Sequence, residues 1–185
     1  MPELQRKQVR LPNAYYLGYR AYFVTVCAKE RRRIFESPSI VQSLLEILRE
    51  QSVRHCFDVY AYCFMPDHCH FLMEGKALEA DLSGMVRGFK GGSSVVLRKH
   101  GIGEAWQKGF YEHILRTDED RGSVAAYIFE NPVRAGLAND MYAWPFSGSF
   151  VFEWREFRPP LERFVPPNKV AEMREGANNG EDNPR

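Results

Sequence analysis

The stretch MPDHCHFLME, residues 65–74, places two histidines two positions apart in an apolar run. On a β-strand the side chains alternate between the two faces, so His68 and His70 point one way while Cys69 and Phe71 point the other. Two neutral imidazoles that leave one face together can chelate a divalent cation. A pair of hydrogen-bonded histidines with no ligand is the alternative interpretation of this stretch.

The segments on either side of this stretch predict an α+β fold. Runs of β-branched and aromatic residues predict strands, and apolar residues at helical spacing predict helices. In chain order the predicted elements are a strand over 21–28, a helix from 38 to about 53, strands over 57–65 and 68–74, a helix over 82–97, an extended segment over 105–116 and a helix that reaches residue 128. The order β-α-β-β-α-β-α predicts a ferredoxin-like sandwich, an antiparallel sheet with helices on one face and the two histidines on a central strand.

Local signals add detail to these elements. Pro66 and Asp67 predict the turn of a hairpin that joins the strands over 57–65 and 68–74. We expect the helix over 82–97 to be interrupted or loosened at Gly91-Gly92. Thr117 precedes three acidic residues, which predicts a helix cap there. Pro132 is expected to end that last helix or to restart a new turn.

The length and composition indicate one folded domain. The chain has 185 residues, of which 44% are hydrophobic and 14% aromatic, enough for a substantial core. We expect a single domain over residues 1–165, including a basic N-terminal segment. Proline and polar residues dominate the last part of the chain, so we expect a disordered polar tail over 166–185.

The sequence also indicates where the protein acts. No run of 18 uncharged apolar residues occurs, and the first residues lack the apolar core of a signal peptide. The four cysteines lie in apolar segments, which favours reduced and mostly buried thiols. We therefore expect a cytoplasmic protein that does not contact a membrane.

The positive charge is concentrated in two places, although the net charge is only +1. Residues 1–35 contain eight Lys or Arg against two Glu, and residues 84–100 contain four Lys or Arg and no acid. Such a distribution is typical of a surface that binds a polyanion, although charged runs are often only solvated faces.

A second candidate group lies in the segment YIFENPVRAGL. Tyr127 and Asn131 are four residues apart, so on a continuous helix they share a face. A strand with two imidazoles and a helix with a phenol and an amide could converge on one cation. That cation would act as a Lewis acid on a phosphate oxygen, with the phenolate as nucleophile. Alternatively, Tyr127 packs in the core and Asn131 caps a turn that begins at Pro132.

Taken together, several motifs resemble those of the REP-associated tyrosine transposases, which belong to the single-tyrosine HUH (His-hydrophobe-His) transposases. The motifs are MPDHCHFLME, a basic segment holding FKGG, AWQKGFYEHILR, YIFENPVRAGL and the ending WPFSG over 144–148. The resemblance runs from about Tyr22 to Ser149, in the right order and spacing.

This resemblance implies a nuclease that cuts single-stranded DNA at palindromic repeats that fold into hairpins. It implies that Tyr127 attacks a phosphodiester to form a 5′-phosphotyrosine, that His68 and His70 bind Mg²⁺ or Mn²⁺, and that Asn131 is a third ligand. No nucleotide cofactor is implied, and FKGGSS is not a P-loop because its lysine precedes the glycines. Relatives include monomers and homodimers, so the tyrosine could act in cis or in trans.

The basic residues then become candidate DNA contacts. The candidates are Arg31, Arg32, Arg33, Arg87, Lys90 and Arg134. Trp106 or Phe110 could stack on an unpaired base, although both are also good core residues. His113 is a reserve candidate, either to support the metal ligands or to contact DNA.

Three other interpretations stay open at the level of sequence. The first is a structural zinc module using Cys56, Cys63 and Cys69 with the two histidines, although the spacing lacks the paired motifs of known zinc sites. The second is a catalytically idle, domesticated DNA- or RNA-binding protein of the same fold. The third is a metal-dependent phosphodiesterase that uses water in place of the tyrosine.

Overall fold

The computed structural model describes residues 13–116 and 119–167. Most of the predicted basic N-terminal segment, the predicted cap Thr117 and residues 168–185 of the predicted tail lie outside the described residues.

Five antiparallel strands form one sheet at the centre of the molecule. They are β1 (Ala21–Cys27), β2 (Phe57–Met65), β3 (His68–Gly75), β4 (Tyr111–Ile114) and β5 (Ser147–Gly148), in the spatial order β4-β1-β3-β2-β5. The histidine strand β3 is the middle one, flanked by β1 and β2 over its whole length. The predicted α+β class and the central position of this strand are therefore confirmed.

The turn between β2 and β3 is held against the chain that follows β1. The carbonyl of Pro66 accepts the backbone N–H groups of Ile34 and Phe35, at 2.9 and 3.0 Å. The carbonyl of Asp67 accepts the N–H of Ala28 at 2.9 Å. Three backbone hydrogen bonds thus fix the point at which β3 begins.

Helices cover both faces of the sheet, so the prediction of helices on one face is wrong. The long helices α1 (Pro38–Arg54) and α2 (Leu82–Lys99) pack on the face that carries Val24 and Phe71. The short helix α3 (Arg121–Phe129) packs on the opposite face, against Phe23 and Leu72. The physical reason lies in the strands, because four successive residues of β1 are buried and a strand covered on both faces is apolar at nearly every position.

The helix α2 runs without a break through Gly91 and Gly92, which corrects the predicted interruption. Its apolar stripe packs on α1 and the sheet, and this packing outweighs the low helix propensity of glycine. A Cβ at Gly92 would lie 2.9 Å from Ile47 Cγ2 of α1, so the missing side chain allows the two helices to approach closely.

The start of α3 also differs from the prediction. The helix begins at Arg121, and the Asp120 carboxylate caps it by accepting the Ser123 N–H at 2.8 Å. The carboxylate of Glu119 instead accepts the Arg116 N–H at 2.7 Å. The acidic residues thus precede the helix, because an aspartate is a strong N-cap and the last of the three takes that position.

Two further segments refine the predicted element list. Pro132 restarts the chain as the single-turn helix α4 (Asn131–Arg134), one of the two predicted outcomes. Of the extended segment over 105–116, only β4 is a strand; Trp106 forms an isolated bridge to Ala28. Within residues 13–116 and 119–167, no helix is long and apolar enough to cross a bilayer.

Candidate metal and nucleophile site

Strand register places a small group of polar side chains on the α3 face of the sheet. Directly opposed residues of antiparallel strands share a face, and here Thr25 opposes His70 while Cys27 opposes His68. Cys69 lies on the other face, where its thiol is fully buried and contacts the Val26 carbonyl. The predicted alternation of the histidines with their apolar neighbours is therefore what the structure contains.

The two imidazoles meet through their Nε2 atoms, which are 3.0 Å apart. The other nitrogen of each ring has its own partner: His68 Nδ1 lies 2.6 Å from an Asp67 carboxylate oxygen, and His70 Nδ1 lies 2.9 Å from the Thr25 hydroxyl. A carboxylate only accepts, so His68 donates from Nδ1 and presents a lone pair at Nε2. These outer partners orient both rings toward the space between them.

Burial favours the neutral form of the His68 ring. Removal from water lowers the pKa of His68, although the Asp67 carboxylate acts in the opposite direction. The neutral ring is the form that binds metals. On the neighbouring strand, burial raises the pKa of the Cys27 thiol, which disfavours the thiolate and makes Cys27 a poor ligand.

The histidine pair fits a divalent cation of the kind expected. Two ligands bound at about 2.1 Å and about 90° apart are separated by about 3.0 Å, the separation of the two Nε2 atoms. In the part of the chain that the structure describes, no group of three or more His, Cys, Asp or Glu side chains could hold a metal. Such a pair suits an octahedral ion that takes its other ligands from amide, water or phosphate oxygens.

The absence of a third such side chain, together with the position of Cys69, disfavours the zinc module. Cys69 lies on the face of the sheet opposite the two histidines. A structural zinc site needs four protein ligands around one point.

The predicted nucleophile lies beside the histidines. The ring centroid of Tyr127, on α3, is 6.4 Å from that of His70. Phe23 and Phe164 both meet the Tyr127 ring edge to face, with centroids at 5.7 Å. A cavity of about 400 Å³ opens at this point, and its polar lining consists of Thr25, Cys27, Arg31, His68, His70, Tyr111, Tyr127, Asn131 and Arg134.

Asn131 reaches the same cavity because the chain stays helical between α3 and α4. Glu130 links them with φ −80° and ψ −6°, and Pro132 is accommodated as the second residue of α4. The Asn131 side-chain amide donates to the Tyr127 carbonyl at 3.1 Å. This bond orients the side chain, and its carbonyl oxygen is the atom that can act as a ligand.

Two of the predicted DNA contacts line this cavity. Arg31 pairs loosely with Asp67, with 3.4 Å between the charged atoms. Arg134 lies over the Tyr127 ring, with the guanidinium carbon 4.1 Å from the ring centroid.

Two others, Arg87 and Lys90, lie in a separate open cleft of about 1130 Å³ between α2 and residues 103–110. Lys90 donates there to the carbonyls of Gln107 and Gly109, both at 2.7 Å. Trp106 is mainly a packing residue, since its ring lies 5.2 Å from Phe35 and its indole N–H donates to a serine hydroxyl.

The remaining candidates have other partners. Arg32 donates to backbone carbonyls of Lys29 and Glu104, and Arg33 forms an ion pair with Glu36 at 2.8 Å. His113 bonds the Glu119 carboxylate at 2.8 and 2.9 Å and does not line the cavity. Of the six predicted basic residues, Arg31 and Arg134 thus line the cavity, Arg87 and Lys90 line the cleft, and Arg32 and Arg33 line neither.

Sequence reasoning missed the partners of the two histidines. Asp67 directly precedes His68, so its carboxylate was visible in the sequence as an adjacent acceptor. Thr25 is the single aliphatic hydroxyl residue in the otherwise apolar and aromatic strand AYFVTVC, a polar exception that indicated a role. Its pairing with His70 depends on strand register, which the sequence does not contain.

Comparison with known proteins identifies the family and agrees with the fold. The family model described as "Transposase IS200 like" matches residues 18–131. A REP-associated tyrosine transposase of Escherichia coli K12 is 26% identical over 137 residues, covering 72% of this chain and 78% of the relative. A Haemophilus influenzae protein described as a candidate member of the same group is 24% identical over 137 residues, covering 68% of this chain and 77% of the relative.

Among solved structures, a REP-associated tyrosine transposase bound to a REP hairpin superposes with a TM-score of 0.64 at 22% identity. The superposition covers 85% of this chain and all of the other, and it shows a common fold. The resemblance to the REP-associated tyrosine transposases is therefore confirmed, and the chain belongs to the family of IS200-like transposases.

Proposed function

We propose that this protein nicks and rejoins single-stranded DNA at hairpin-forming repeats, through a covalent 5′-phosphotyrosine on Tyr127. The observation that carries the proposal is the convergence of Tyr127, His68 and His70 on one cavity, with the tyrosine ring 6.4 Å from the ring of His70. A phenol next to two metal-type imidazoles is suited to transfer of a phosphodiester.

The reaction exchanges phosphoester bonds between the DNA and Tyr127. The Tyr127 oxygen forms a bond to phosphorus, the bond from phosphorus to the 3′ oxygen breaks, and the released 3′ oxygen takes up a proton. The proton of the phenol passes to water in the open cavity. Rejoining is the reverse step, in which a 3′ hydroxyl attacks the phosphotyrosine and Tyr127 leaves. Because each step exchanges one phosphoester bond for another, no nucleotide is required.

The residues that would hold Mg²⁺ or Mn²⁺ are His68, His70 and Asn131. When bound, the cation supplies Lewis acidity at a phosphate oxygen. The protein's own contribution is to keep His68 neutral by burial, to orient the two rings through Asp67 and Thr25, and to hold Asn131 through the Tyr127 carbonyl.

A path for the DNA is provided by the cleft next to the cavity. Residues 27–31 separate the two spaces: Cys27 and Arg31 line the cavity, while Lys29 and Glu30 line the cleft. Arg87 is exposed in the cleft, and Arg98 lies three helical turns further along the same face of α2. We propose that the sugar-phosphate backbone follows the cleft and delivers the scissile phosphate to Tyr127.

The relatives support the choice of substrate. The structural relative is bound to a REP hairpin, and two sequence relatives carry the name of this group of transposases. For this chain a hairpin-forming repeat is the corresponding substrate. The repeat would be sought in the DNA that flanks the gene.

The proposal is tested with a single-stranded hairpin from the flanking DNA, labelled at the 5′ or at the 3′ end and incubated with Mn²⁺ or Mg²⁺. A denaturing gel separates free DNA from a covalent protein–DNA adduct. We expect the adduct to carry the 3′ label and to be absent in Tyr127→Phe and His68→Ala. The matched control is Tyr19→Phe, which removes the hydroxyl of a tyrosine that is 65% exposed and outside the cavity.

Three outcomes would contradict the proposal. Hairpin binding without cleavage favours the idle nucleic-acid-binding protein, and cleavage without an adduct favours a phosphodiesterase that uses water. An adduct that survives in Tyr127→Phe places the nucleophile elsewhere.

We further propose that the tyrosine acts in cis, because Tyr127 and both histidines of one chain line the same cavity. A mixture of Tyr127→Phe and His68→Ala should therefore give no adduct under conditions in which the wild type does. Recovery of the adduct in the mixture would indicate a homodimer that exchanges tyrosine helices.

A further inference from the structure

We infer that Arg134 is a positioning residue for the nucleophile: it holds the Tyr127 ring and backbone in place and is not primarily a contact for DNA phosphates. The inference rests on the proposed function of Tyr127. It concerns a residue for which the sequence had suggested either a DNA contact or neutralisation of a helix end.

Arg134 lies about two helical turns after Tyr127, and its side chain reaches back over that residue. Its guanidinium carbon lies 4.1 Å from the centroid of the Tyr127 ring, close enough for a cation–π interaction. One terminal nitrogen donates to the Tyr127 carbonyl at 2.6 Å, and the other lies 3.5 Å from the Glu130 carboxylate. Arg134 therefore contacts both the side chain and the main chain of the same tyrosine.

The other contacts of the Tyr127 ring complete this arrangement. Phe23 and Phe164 meet the ring edge to face, and Arg134 covers a face of it. The Tyr127 ring thus lies against two aromatic rings and one planar cation, which restricts rotation about its side-chain bonds. A reactive group held in one orientation reaches the transition state more often than a mobile one.

The same contacts limit what Arg134 can offer to DNA. Its side chain is only 34% exposed, and its two terminal nitrogens are directed to the Tyr127 carbonyl and to Glu130. Arg31, on the same cavity, has a longer 3.4 Å contact with Asp67 and a side chain that is 58% exposed. Of the two arginines, Arg31 is better placed to bind a phosphate, and Arg134 is better placed to hold the tyrosine.

The first test separates the rate of adduct formation from DNA affinity. Single-turnover reactions at saturating hairpin give the rate, and a binding titration gives the Kd. We expect Arg134→Met to slow adduct formation by about 100-fold, the order of effect of a misplaced reacting group, with little change in Kd. Arg134→Lys keeps the positive charge but lacks the planar guanidinium with its two terminal nitrogens, so it should recover part of the rate that Arg134→Met loses.

The matched control is Arg49→Met. Arg49 also lies over an aromatic ring, that of Phe150 at 4.0 Å, but on α1 and outside the cavity. We expect the same substitution there to leave both the rate and the Kd unchanged.

The second test needs no DNA, so it separates failure of this inference from failure of the proposed function. Thermal unfolding is measured for the wild type, Arg134→Met, Tyr127→Leu and the double variant. We expect Arg134→Met to lower the unfolding midpoint in the wild-type background and to have a smaller effect beside Tyr127→Leu, which removes the ring.

Additive midpoint shifts in this cycle overturn the inference, whether or not an adduct forms in the wild type. It is also overturned if Arg134→Met raises the Kd for the hairpin and leaves the saturating rate unchanged. In that case Arg134 would be a phosphate contact.

Discussion

The two faces of the sheet differ in how completely they are closed. On one face, the two long helices bury every central side chain of β3, including Phe71, which is 1% exposed. On the other face, α3 has nine residues and spans about 13 Å, roughly half the length of α1 or α2. It closes a core around Leu72 and Phe129 at one end of the face and leaves the histidine cavity at the other. Because α3 is too short to cover its whole face of the sheet, one end of that face stabilises the fold and the other end stays open for chemistry.

The largest effects on stability and on adduct formation are expected from substitutions of Phe71 and His70, which are adjacent in β3 and lie on opposite faces of the sheet. Phe71→Ala should lower the free energy of unfolding by about 3–5 kcal/mol, because it leaves a cavity in the closed core. His70→Gln should change it by less than about 2 kcal/mol. In contrast, His70→Gln should abolish adduct formation, whereas Phe71→Ala should still form adduct at a temperature at which it remains folded.

Denaturant titration and the adduct gel measure the two quantities separately. If both variants lost stability and activity together, the division of the sheet into a structural face and a reactive face would be wrong. The hairpin DNA should be saturating in these reactions, so that a change in affinity is not read as a change in chemistry.

The next comparison concerns the residues that orient the histidines. Asp67→Asn and Thr25→Val should each weaken Mn²⁺ binding by about 10–100-fold: the first replaces the charged acceptor of the His68 Nδ1–H by a weaker neutral one, and the second removes the hydroxyl partner of His70 Nδ1. Calorimetric titration of Mn²⁺ into the DNA-free protein measures this. The control is Asp58→Asn on β2, whose carboxylate pairs with Lys76 at the surface and should leave Mn²⁺ affinity unchanged.

A smaller effect is expected in the basic cleft on α2. Arg87→Gln and Arg98→Gln should each reduce the slope of log affinity against log salt by about one, the change expected for one lost phosphate contact. Arg54→Gln, at the end of α1 and outside the cleft, should leave the slope unchanged. An unchanged slope in both cleft variants would show that the DNA does not follow the cleft.

The smallest effects should distinguish two neighbouring glycines of α2. A Cβ at Gly91 would meet no atom within 4 Å, so Gly91→Ala should stabilise the protein by up to about 1 kcal/mol through helix propensity. Gly92→Ala should destabilise it, because the new Cβ would press on Ile47. Thermal unfolding of the two variants checks the sign of each effect.

The sequence predicted the elements that depend on local periodicity. The strand β2 was predicted at its observed bounds, and the alternation of His68 and His70 with Cys69 followed from the two-residue repeat of a strand. The position of Asn131 relative to Tyr127 followed from helical spacing, since the chain remains helical between them. Each of these inferences concerns residues within a few positions of one another.

The rest could not be predicted because it depends on packing between distant segments. The placement of α3 on the opposite face, the pairing of Thr25 with His70 and the contact of Phe164 with Tyr127 all join residues that are far apart in sequence. The position of Arg134 over Tyr127 depends on the angle between α3 and α4, which residue spacing alone does not define. Strand register and helix angles are properties of the assembled fold.

The backbone hydrogen bonds that hold the turn before β3 limit which insertions the hairpin can accept. One extra codon between Asp67 and His68 would shift the strand by one residue and exchange the side chains presented on its two faces, so that Cys69 would replace a histidine in the cavity. Two extra codons would return both histidines to the cavity face but move them about 7 Å along the strand, out of register with Thr25 and Cys27. Insertions of either length that shift β3 should therefore abolish the site, whereas many substitutions in the same hairpin leave the register intact.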